Sequence, residues 1–345
     1  CETVLAGGIP DRVPVELHDF MVAAHKSGLP FGEFMRSGEA LAEGHLAQWR
    51  EFGQDMLLVD NGTATLAEAC GVGVELLEDS APVSIEPAIG SLDEIDKLKL
   101  PDPATSPPLA EMLRATRIIA DEVGEDGWIM GVADQGPFSL ASMILGMEEF
   151  LVAQVLPGSR DKLHALLEFC EEAFYRFAVA QIEAGAHVTS MGESIAGPDV
   201  CSPALYREIA WPHERNVTQR LLKDGVRFQN HICRNATAIV PDMVETGAVI
   251  LGLDYKCDLS SVKEATRGRA TIVGTIDPSE IVARGTPDDV TEAAREELAI
   301  LAPGGGLILG AGCAIPPGTP DENLHALIEA GRTFGRYDAD GNPTL

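Results

Sequence analysis

Short apolar segments alternate with long amphipathic segments from one end of this chain of 345 residues to the other. Apolar runs of this length favour parallel strands that are buried on both faces. Eight strand–helix units with right-handed crossovers close into a barrel, so we predict a single α/β domain over residues 1–345, a (β/α)8 TIM barrel. β-branched residues such as Val59, Ile129 and Ile250 lie within the predicted strands. The eight predicted strands cover Val13–His18, Asp55–Asn61, Trp128–Asp134, His187–Glu193, Arg227–Cys233, Val249–Tyr255, Thr271–Asp277 and Leu307–Cys313.

Helical patterns fill the intervals between the predicted strands. Asp277 and Thr286 each precede a proline and are predicted N-caps, and Thr319 with Glu322 three residues later predicts a capping box. Segment 71–103 breaks the alternation with two Pro-rich turns, which predicts a hairpin inserted after the second strand. The best-marked helices are predicted over Asp161–Ala184, Pro203–Lys223, Pro287–Leu301 and Pro320–Phe334.

The charge and cysteine content restrict the partners and the compartment. The chain has 54 acidic and 25 basic residues, a net charge of −29 that disfavours binding to nucleic acid or anionic membranes. No stretch of about 18 apolar residues is present, so no membrane span is predicted. Seven cysteines without a tight spacing framework indicate a reducing cytoplasm. The start at Cys1, close to the first strand, favours a truncated chain over a lipidated N-terminus.

Polar residues collect at the carboxyl ends of the predicted strands. In a barrel these ends meet at one mouth, where catalytic groups lie. Each residue also has a structural explanation: Asp277 as a helix cap, Asp134 or Asp254 as loop caps, and His18 as a hydrogen-bond partner of a neighbouring strand. The set comprises His18, Asp60, Asn61, Asp134, Gln135, Glu193, His231, Cys233, Asp254, Asp277 and Cys313.

Three of these residues are soft metal donors. His231 and Cys233 are two apart on a strand and therefore point to the same side, while Cys313 follows the eighth strand. Thiolate and imidazole ligands suit zinc, and three protein ligands leave a coordination position open, as in catalytic sites. Glu193 is a candidate outer-shell base or fourth ligand. The remaining cysteines are predicted to be structural, as small buried side chains: Cys70, Cys170, Cys201 and Cys257.

Four segments resemble the uroporphyrinogen decarboxylase superfamily. Within this superfamily they look like the methyltransferases that depend on zinc and a corrinoid. The set of His231, Cys233 and Cys313 is the part of the resemblance that is specific to those methyltransferases. Those enzymes usually have glycine where this chain has Arg234. The similar segments are Pro10–Val15, Gly136–Ala141, His231–Asn235 and Gly312–Pro320, and the resemblance extends from about Leu5 to Tyr337.

The resemblance implies a barrel with zinc on His231, Cys233 and Cys313. The reaction would move a methyl group between a corrinoid, such as methylcobalamin on a small corrinoid-binding partner protein, and a small acceptor. The acceptor would be a thiol such as coenzyme M, or tetrahydrofolate, which needs an acidic residue to manage the proton. The proton-managing candidates are Glu193, Asp254 and Asp60, and the predicted cofactor-binding residues are His18, Asp134, Gln135 and Asn235.

Three alternatives remain at this point. A porphyrinogen decarboxylase-like lyase fits the superfamily, but the arginine-rich N-terminal segment of those enzymes is missing after Val15. A non-catalytic corrinoid carrier is disfavoured because the DxHxxG-type cobalt-binding pattern is missing. A zinc hydrolase would need several histidine ligands, and the other histidines fall within helical patterns, namely His25, His45, His164, His213 and His325.

Overall fold

The computed structural model describes residues 1–78 and 80–345, and its centre is a sheet of eight parallel strands. These strands coincide with the eight predicted ones. Seven are shorter than the sequence pattern suggested, and the strand that begins at Trp128 extends one residue beyond its predicted end. An antiparallel pair, β3 (Gly73–Glu75) and β4 (Val83–Glu86), lies outside this sheet. The barrel strands are β1 (Glu16–Leu17), β2 (Met56–Val59), β5 (Trp128–Gln135), β6 (Val188–Gly192), β7 (Phe228–Ile232), β8 (Ile250–Leu253), β9 (Thr271–Val273) and β10 (Leu307–Ile308).

The sheet closes on itself between its first and last strands. The strand order is β1-β2-β5-β6-β7-β8-β9-β10, and each adjacent pair is parallel. A parallel bridge joins Val15 to Leu309, and the N–H of Glu16 donates to the Leu309 carbonyl at 2.9 Å. Closure removes the free edges that an open sheet would expose. The α/β barrel prediction is confirmed.

Apolar side chains fill the lower part of the barrel. Met56, Met130, Val188 and Ile250 form one buried cluster, and Val4 of the N-terminal helix α1 (Glu2–Leu5) joins it. A second, larger cluster lies between the strands and the surrounding helices. Because the interior is packed from the α1 side, an open cavity remains at the other end, where the strands have their carboxyl ends.

Helices cover the outside of the barrel. One 3₁₀ segment, Leu92–Lys97, and two π-helical turns, Tyr206–Ala210 and Pro278–Ala283, interrupt the regular pattern. The α-helices are α1 (Glu2–Leu5), α2 (Phe20–Ser27), α3 (Phe31–Met35), α4 (Gly38–Phe52), α5 (Thr65–Ala69), α6 (Pro107–Val123), α7 (Pro137–Leu145), α8 (Met147–Ala153), α9 (Arg160–Glu183), α10 (Pro203–Leu205), α11 (Trp211–Lys223), α12 (Val240–Glu245), α13 (Leu259–Thr266), α14 (Pro287–Leu301) and α15 (Asp321–Phe334).

Most predicted helix starts are confirmed, and one is wrong. Asp277 accepts hydrogen bonds from two backbone N–H groups, and Thr286 forms a full capping box with Asp289. Thr319 instead donates its hydroxyl to the Pro316 carbonyl at 2.8 Å, so α15 begins without a side-chain cap. The predicted helix over 203–223 contains a π-helical turn, because Pro212 has no N–H to continue the ordinary ladder.

The interruption predicted over 71–103 contains the antiparallel hairpin β3–β4, which follows the second barrel strand. The hairpin is solvent-exposed along β4. Among residues 1–78 and 80–345, no helix combines the length and the apolar character that a bilayer crossing requires.

Candidate metal centre

His231, Cys233 and Cys313 meet at the mouth of the barrel. His231 is on β7, Cys233 follows directly after that strand, and Cys313 lies in the loop after β10. One ligand atom from each lies within 4.8 Å of the others, and all three side chains are half-buried. The i, i+2 spacing on a strand therefore brings imidazole and thiol to the same side, as the sequence pattern indicated.

The imidazole of His231 is held in one orientation by a backbone carbonyl. Its Nδ1 lies 3.0 Å from the carbonyl oxygen of Gly252, which can only accept, so Nδ1 carries the proton. The lone pair of Nε2 then faces Cys233, whose Sγ is 3.3 Å away. A Cβ atom at position 252 would lie 3.0 Å from Nδ1, so glycine permits this close approach. A histidine oriented through its second nitrogen is typical of metal ligands.

The two thiols interact with each other. A hydrogen bond between them lowers the pKa of Cys233 and raises the pKa of Cys313 to about 12, with burial adding to the rise at Cys313. Two adjacent sulfurs and one imidazole nitrogen form a donor set that suits zinc. The residues present therefore fit the predicted ion.

A cavity of about 240 Å³ opens beside these three residues. Its walls carry carboxyl, imidazole and amide groups from several strand ends. Among the described residues that line it there is no lysine and no arginine. The predicted residues that the structure brings to this cavity are His18, Asp60, Asp134, Gln135, His231, Cys233 and Cys313.

His18 and Asp60 form an ion pair on the cavity wall. The Nε2 atom of His18 lies 2.7 Å from Asp60 Oδ2, and the other Asp60 oxygen accepts from the N–H of Gly62 at 2.8 Å. Burial acts to lower the pKa of His18, but the Asp60 hydrogen bond and charge outweigh it and raise the pKa to about 9. His18 is therefore a cation at neutral pH, paired with an anion.

Asp134 and Gln135 line the cavity but also support loops. Asp134 Oδ2 accepts from the N–H of Leu66 at 2.7 Å, at the start of α5. Asp134 adopts a left-handed backbone (φ 70°), and burial raises the pKa of its carboxyl to about 7. The Gln135 side-chain oxygen accepts from the N–H of Ser194 at 3.4 Å.

Glu16 is a cavity residue that the sequence analysis missed. It is almost fully buried, its Oε2 has no hydrogen-bond partner within the described chain, and burial raises its pKa to about 7. Glu16 lies two residues before His18, and Gln229 lies two residues before His231. The same i, i+2 rule that pairs His231 with Cys233 would have identified both.

Three predicted site residues lie outside the cavity. Glu193 is fully buried, and its two oxygens accept from the N–H groups of Phe138 at 3.0 Å and Ser139 at 2.8 Å in the first turn of α7. Its pKa is raised to about 7 by burial. Asn235 is exposed, and its side-chain oxygen accepts from the N–H of Thr237 at 3.1 Å.

Asp254 is the third predicted site residue that lies outside the cavity, and it fixes the loop that follows Cys233. Its Oδ2 accepts from the N–H of Arg234 at 2.8 Å, and its Oδ1 accepts from the N–H of Lys256 at 3.2 Å. Arg234 has a φ of 67°, in the left-handed region that favours glycine, and its side chain is exposed. The carboxylate thus holds a strained turn beside the metal ligands.

The other cysteines predicted to be structural lie in the core. Cys70, Cys170, Cys201 and Cys257 are all buried. Burial raises the pKa of each, to about 12 for Cys70 and Cys201. None of the four lines the mouth cavity in the described part of the chain, whereas Cys233 and Cys313 do.

Comparisons with known proteins bear on the family and the fold. The family model described as uroporphyrinogen decarboxylase (URO-D) matches residues 2–334. The methylcobamide:CoM methyltransferase MtbA of Methanosarcina mazei is 30% identical over 274 residues, 79% of this chain and 77% of the relative. The uroporphyrinogen decarboxylase of Coxiella burnetii (strain Dugway 5J108-111) is 25% identical over 88% of this chain and 84% of the relative. A solved methyltransferase from Methanosarcina mazei has a TM-score of 0.87 and 26% identity, covering 96% of this chain and 97% of that one.

Proposed function

The chain belongs to the uroporphyrinogen decarboxylase family, and we propose that it is a zinc-containing, corrinoid-dependent methyltransferase with a thiol as methyl acceptor. Methyl transfer as the reaction class agrees with its methyltransferase relatives. The zinc ion and the identity of the acceptor rest on the site itself.

One observation carries the proposal: two sulfurs and an imidazole nitrogen converge within 4.8 Å at the mouth of the barrel. His231, Cys233 and Cys313 would hold the ion, and the Gly252 carbonyl would keep the imidazole in the tautomer that coordination needs. When bound, zinc supplies Lewis acidity that lowers the pKa of an acceptor thiol and keeps it nucleophilic at neutral pH.

The transfer itself is an in-line displacement at the methyl carbon. The cobalt–carbon bond breaks and a sulfur–carbon bond forms, while the electron pair of the broken bond stays on cobalt, which passes from Co(III) to Co(I). The thiol proton leaves the acceptor before this step. Glu16 lines the same cavity with an unpartnered oxygen and a pKa of about 7, so it is suited to accept that proton near neutral pH.

The size of the cavity favours a small thiol over a folate. Its volume of about 240 Å³ is below the roughly 300 Å³ at which pockets begin to enclose drug-sized ligands. A thiol of a few heavy atoms fits such a space with its sulfur at the metal site. A whole tetrahydrofolate does not, and it would have to bind mainly outside the mouth.

The charges in the cavity disfavour the decarboxylase alternative. A porphyrinogen carries many carboxylates, and its binding needs several cations around the ring. The described cavity wall has neither lysine nor arginine, and it contains the carboxyl groups of Glu16, Asp60 and Asp134. His18 is the cationic group there, and it is already paired with Asp60.

A small corrinoid-binding protein is the proposed partner, and the cytoplasm is the proposed compartment. The cavity is too small for a corrinoid, so the methyl-cobalt group has to be presented from outside. All seven cysteines are free thiols, which fits a reducing environment.

The test is anaerobic demethylation of free methylcobalamin, followed by its absorbance, with either 2-mercaptoethanesulfonate or tetrahydrofolate as acceptor. We expect turnover with the thiol, little with the folate, and loss of both turnover and bound zinc in Cys313→Ala. Cys257→Ala is the matched control, because Cys257 is a buried thiol near the site whose Sγ lies 3.6 Å from the Arg234 carbonyl. It should retain metal and activity. Turnover that survives Cys313→Ala, or that requires the folate, would show the proposal to be wrong.

A further inference from the structure

Exposed apolar side chains are concentrated in two short segments of the structure. Helix α8 and the turn after it expose Met147 (44%), Leu151 (40%) and Val155 (69%), which recur at every fourth position. The hairpin strand β4 exposes Val83 (42%) and Ile85 (62%). Exposed apolar groups scattered singly need no explanation, but a contiguous group of them usually marks an interaction surface.

These five exposed residues of the two segments are here called the rim patch (Val83, Ile85, Met147, Leu151 and Val155). A cleft of about 470 Å³ separates the hairpin from the α7–α8 junction, and Val83, Ile85 and Met147 all line it. The Ile89 N–H donates to the Ile144 carbonyl at 3.1 Å, which ties the chain after β4 to α7. The rim patch is therefore held on the framework of the barrel.

The rim patch borders the mouth of the barrel. Thr63 lines both the cleft and the mouth cavity, and Ala81 lines the mouth while its neighbour Pro82 lines the cleft. Any protein that covers this patch therefore also lies beside the opening above the metal centre.

We infer that the rim patch is the docking surface for the corrinoid-carrying partner protein, an inference that rests on the proposed function. A cavity of about 240 Å³ cannot enclose a corrinoid, so the macrocycle must stay above the mouth. It reaches the metal centre only if contacts between the two proteins hold it there. The rim patch is an apolar surface placed at the opening where those contacts are needed.

Size and charge favour such a partner over a second copy of this chain. Five partly exposed side chains amount to a few hundred Å², the patch size that monomers use functionally. An obligate dimer usually buries roughly 2,000 Å² or more in total. Glu86, Glu148 and Glu149 are exposed around the patch and form no ion pair within the described residues. The partner should therefore present an apolar centre flanked by lysine or arginine, whereas a second copy would bring like charges together.

The experiment compares two methyl donors in the presence of 2-mercaptoethanesulfonate. One is free methylcobalamin. The other is a corrinoid protein of the source organism, loaded with methylcobalamin. It is chosen as the corrinoid protein with which the wild-type enzyme has the highest rate. Ile85→Glu and Met147→Glu put a charge into the patch, and Ile300→Glu is the matched control because Ile300 is also exposed (39%) but lies on α14. Light scattering gives the mass of each variant in solution.

We expect both patch variants to lower kcat/KM for the protein-bound donor by about tenfold or more, mainly through KM, because a buried interface charge without a partner is costly. Rates with free methylcobalamin should stay within about twofold, and Ile300→Glu should resemble wild type with both donors. The inference is overturned if patch variants use the protein-bound donor normally, or if no loaded carrier outperforms free methylcobalamin. A wild-type dimer that Ile85→Glu converts to monomers would identify a second copy as the occupant. Failure of wild type with free methylcobalamin would instead refute the proposed function.

Discussion

Replacing Glu193 by glutamine tests whether this residue is a catalytic base or a structural clamp. Glu193 is fully buried, and its two oxygens accept from the N–H groups of Phe138 and Ser139 at 3.0 and 2.8 Å. Glutamine keeps one acceptor but presents an NH₂ group where the other N–H donor points. The backbone of Gly136 packs so closely that even a Cβ there would collide with Glu193 Oε1, so the amide cannot turn away.

The expected cost of Glu193→Gln is about 2 kcal/mol, the order of one lost hydrogen bond to a carboxyl plus one buried donor without a partner. Urea unfolding followed by circular dichroism measures this change in free energy. Removing a general base costs about 10²–10⁴-fold in rate, whereas a clamp residue should leave kcat within about tenfold in the folded enzyme. A hundredfold loss of kcat with an unchanged free energy of unfolding would refute the structural assignment.

Three further predictions concern buried carboxyl groups, the His18–Asp60 pair and the backbone of Arg234. Burial raises the pKa of Asp19 to about 7 and of Glu214 to about 8, so the folded state keeps protons that the unfolded state loses. The free energy of unfolding should therefore fall as the pH rises from 5 to 8, and urea titrations that show it rising would contradict this. Asp60→Asn removes the main partner that raises the pKa of His18 to about 9, so this pKa should fall; an unchanged imidazole titration by NMR would disprove the pairing. Arg234→Gly relieves a left-handed backbone (φ 67°) and should stabilise the protein by about 0.5 kcal/mol in urea, after the entropy of glycine is subtracted; destabilisation would count against strain there.

The barrel and the shared side of His231 and Cys233 could be predicted because both follow from simple periodicities, whereas Cys313 is identified by its position after the eighth strand and by the family resemblance. A continuous apolar run identifies a strand buried on both faces, and two residues two apart on such a strand share a side. Glu16 follows the same rule relative to His18 and could have been predicted with it.

The direction of a side chain just beyond the end of a strand cannot be predicted from the two-residue period of the strand. Glu193 follows Gly192, the last residue of β6, and its side chain turns toward α7 rather than into the cavity. Asp254 likewise turns to the backbone of the loop after Cys233. The direction of these side chains depends on which neighbouring N–H groups lack a partner, and that is a property of the assembled fold. Thr319 illustrates the same limit, because its hydroxyl bonds to Pro316 instead of capping α15.

Zinc K-edge X-ray absorption on the purified protein tests the metal centre most directly. We predict one zinc ion per chain, with two sulfur ligands at about 2.3 Å and nitrogen or oxygen ligands at about 2.0 Å. In Cys233→Ala the sulfur contribution should fall to one or the ion should be lost. Active wild-type protein without zinc, or a zinc shell without sulfur, would contradict the account.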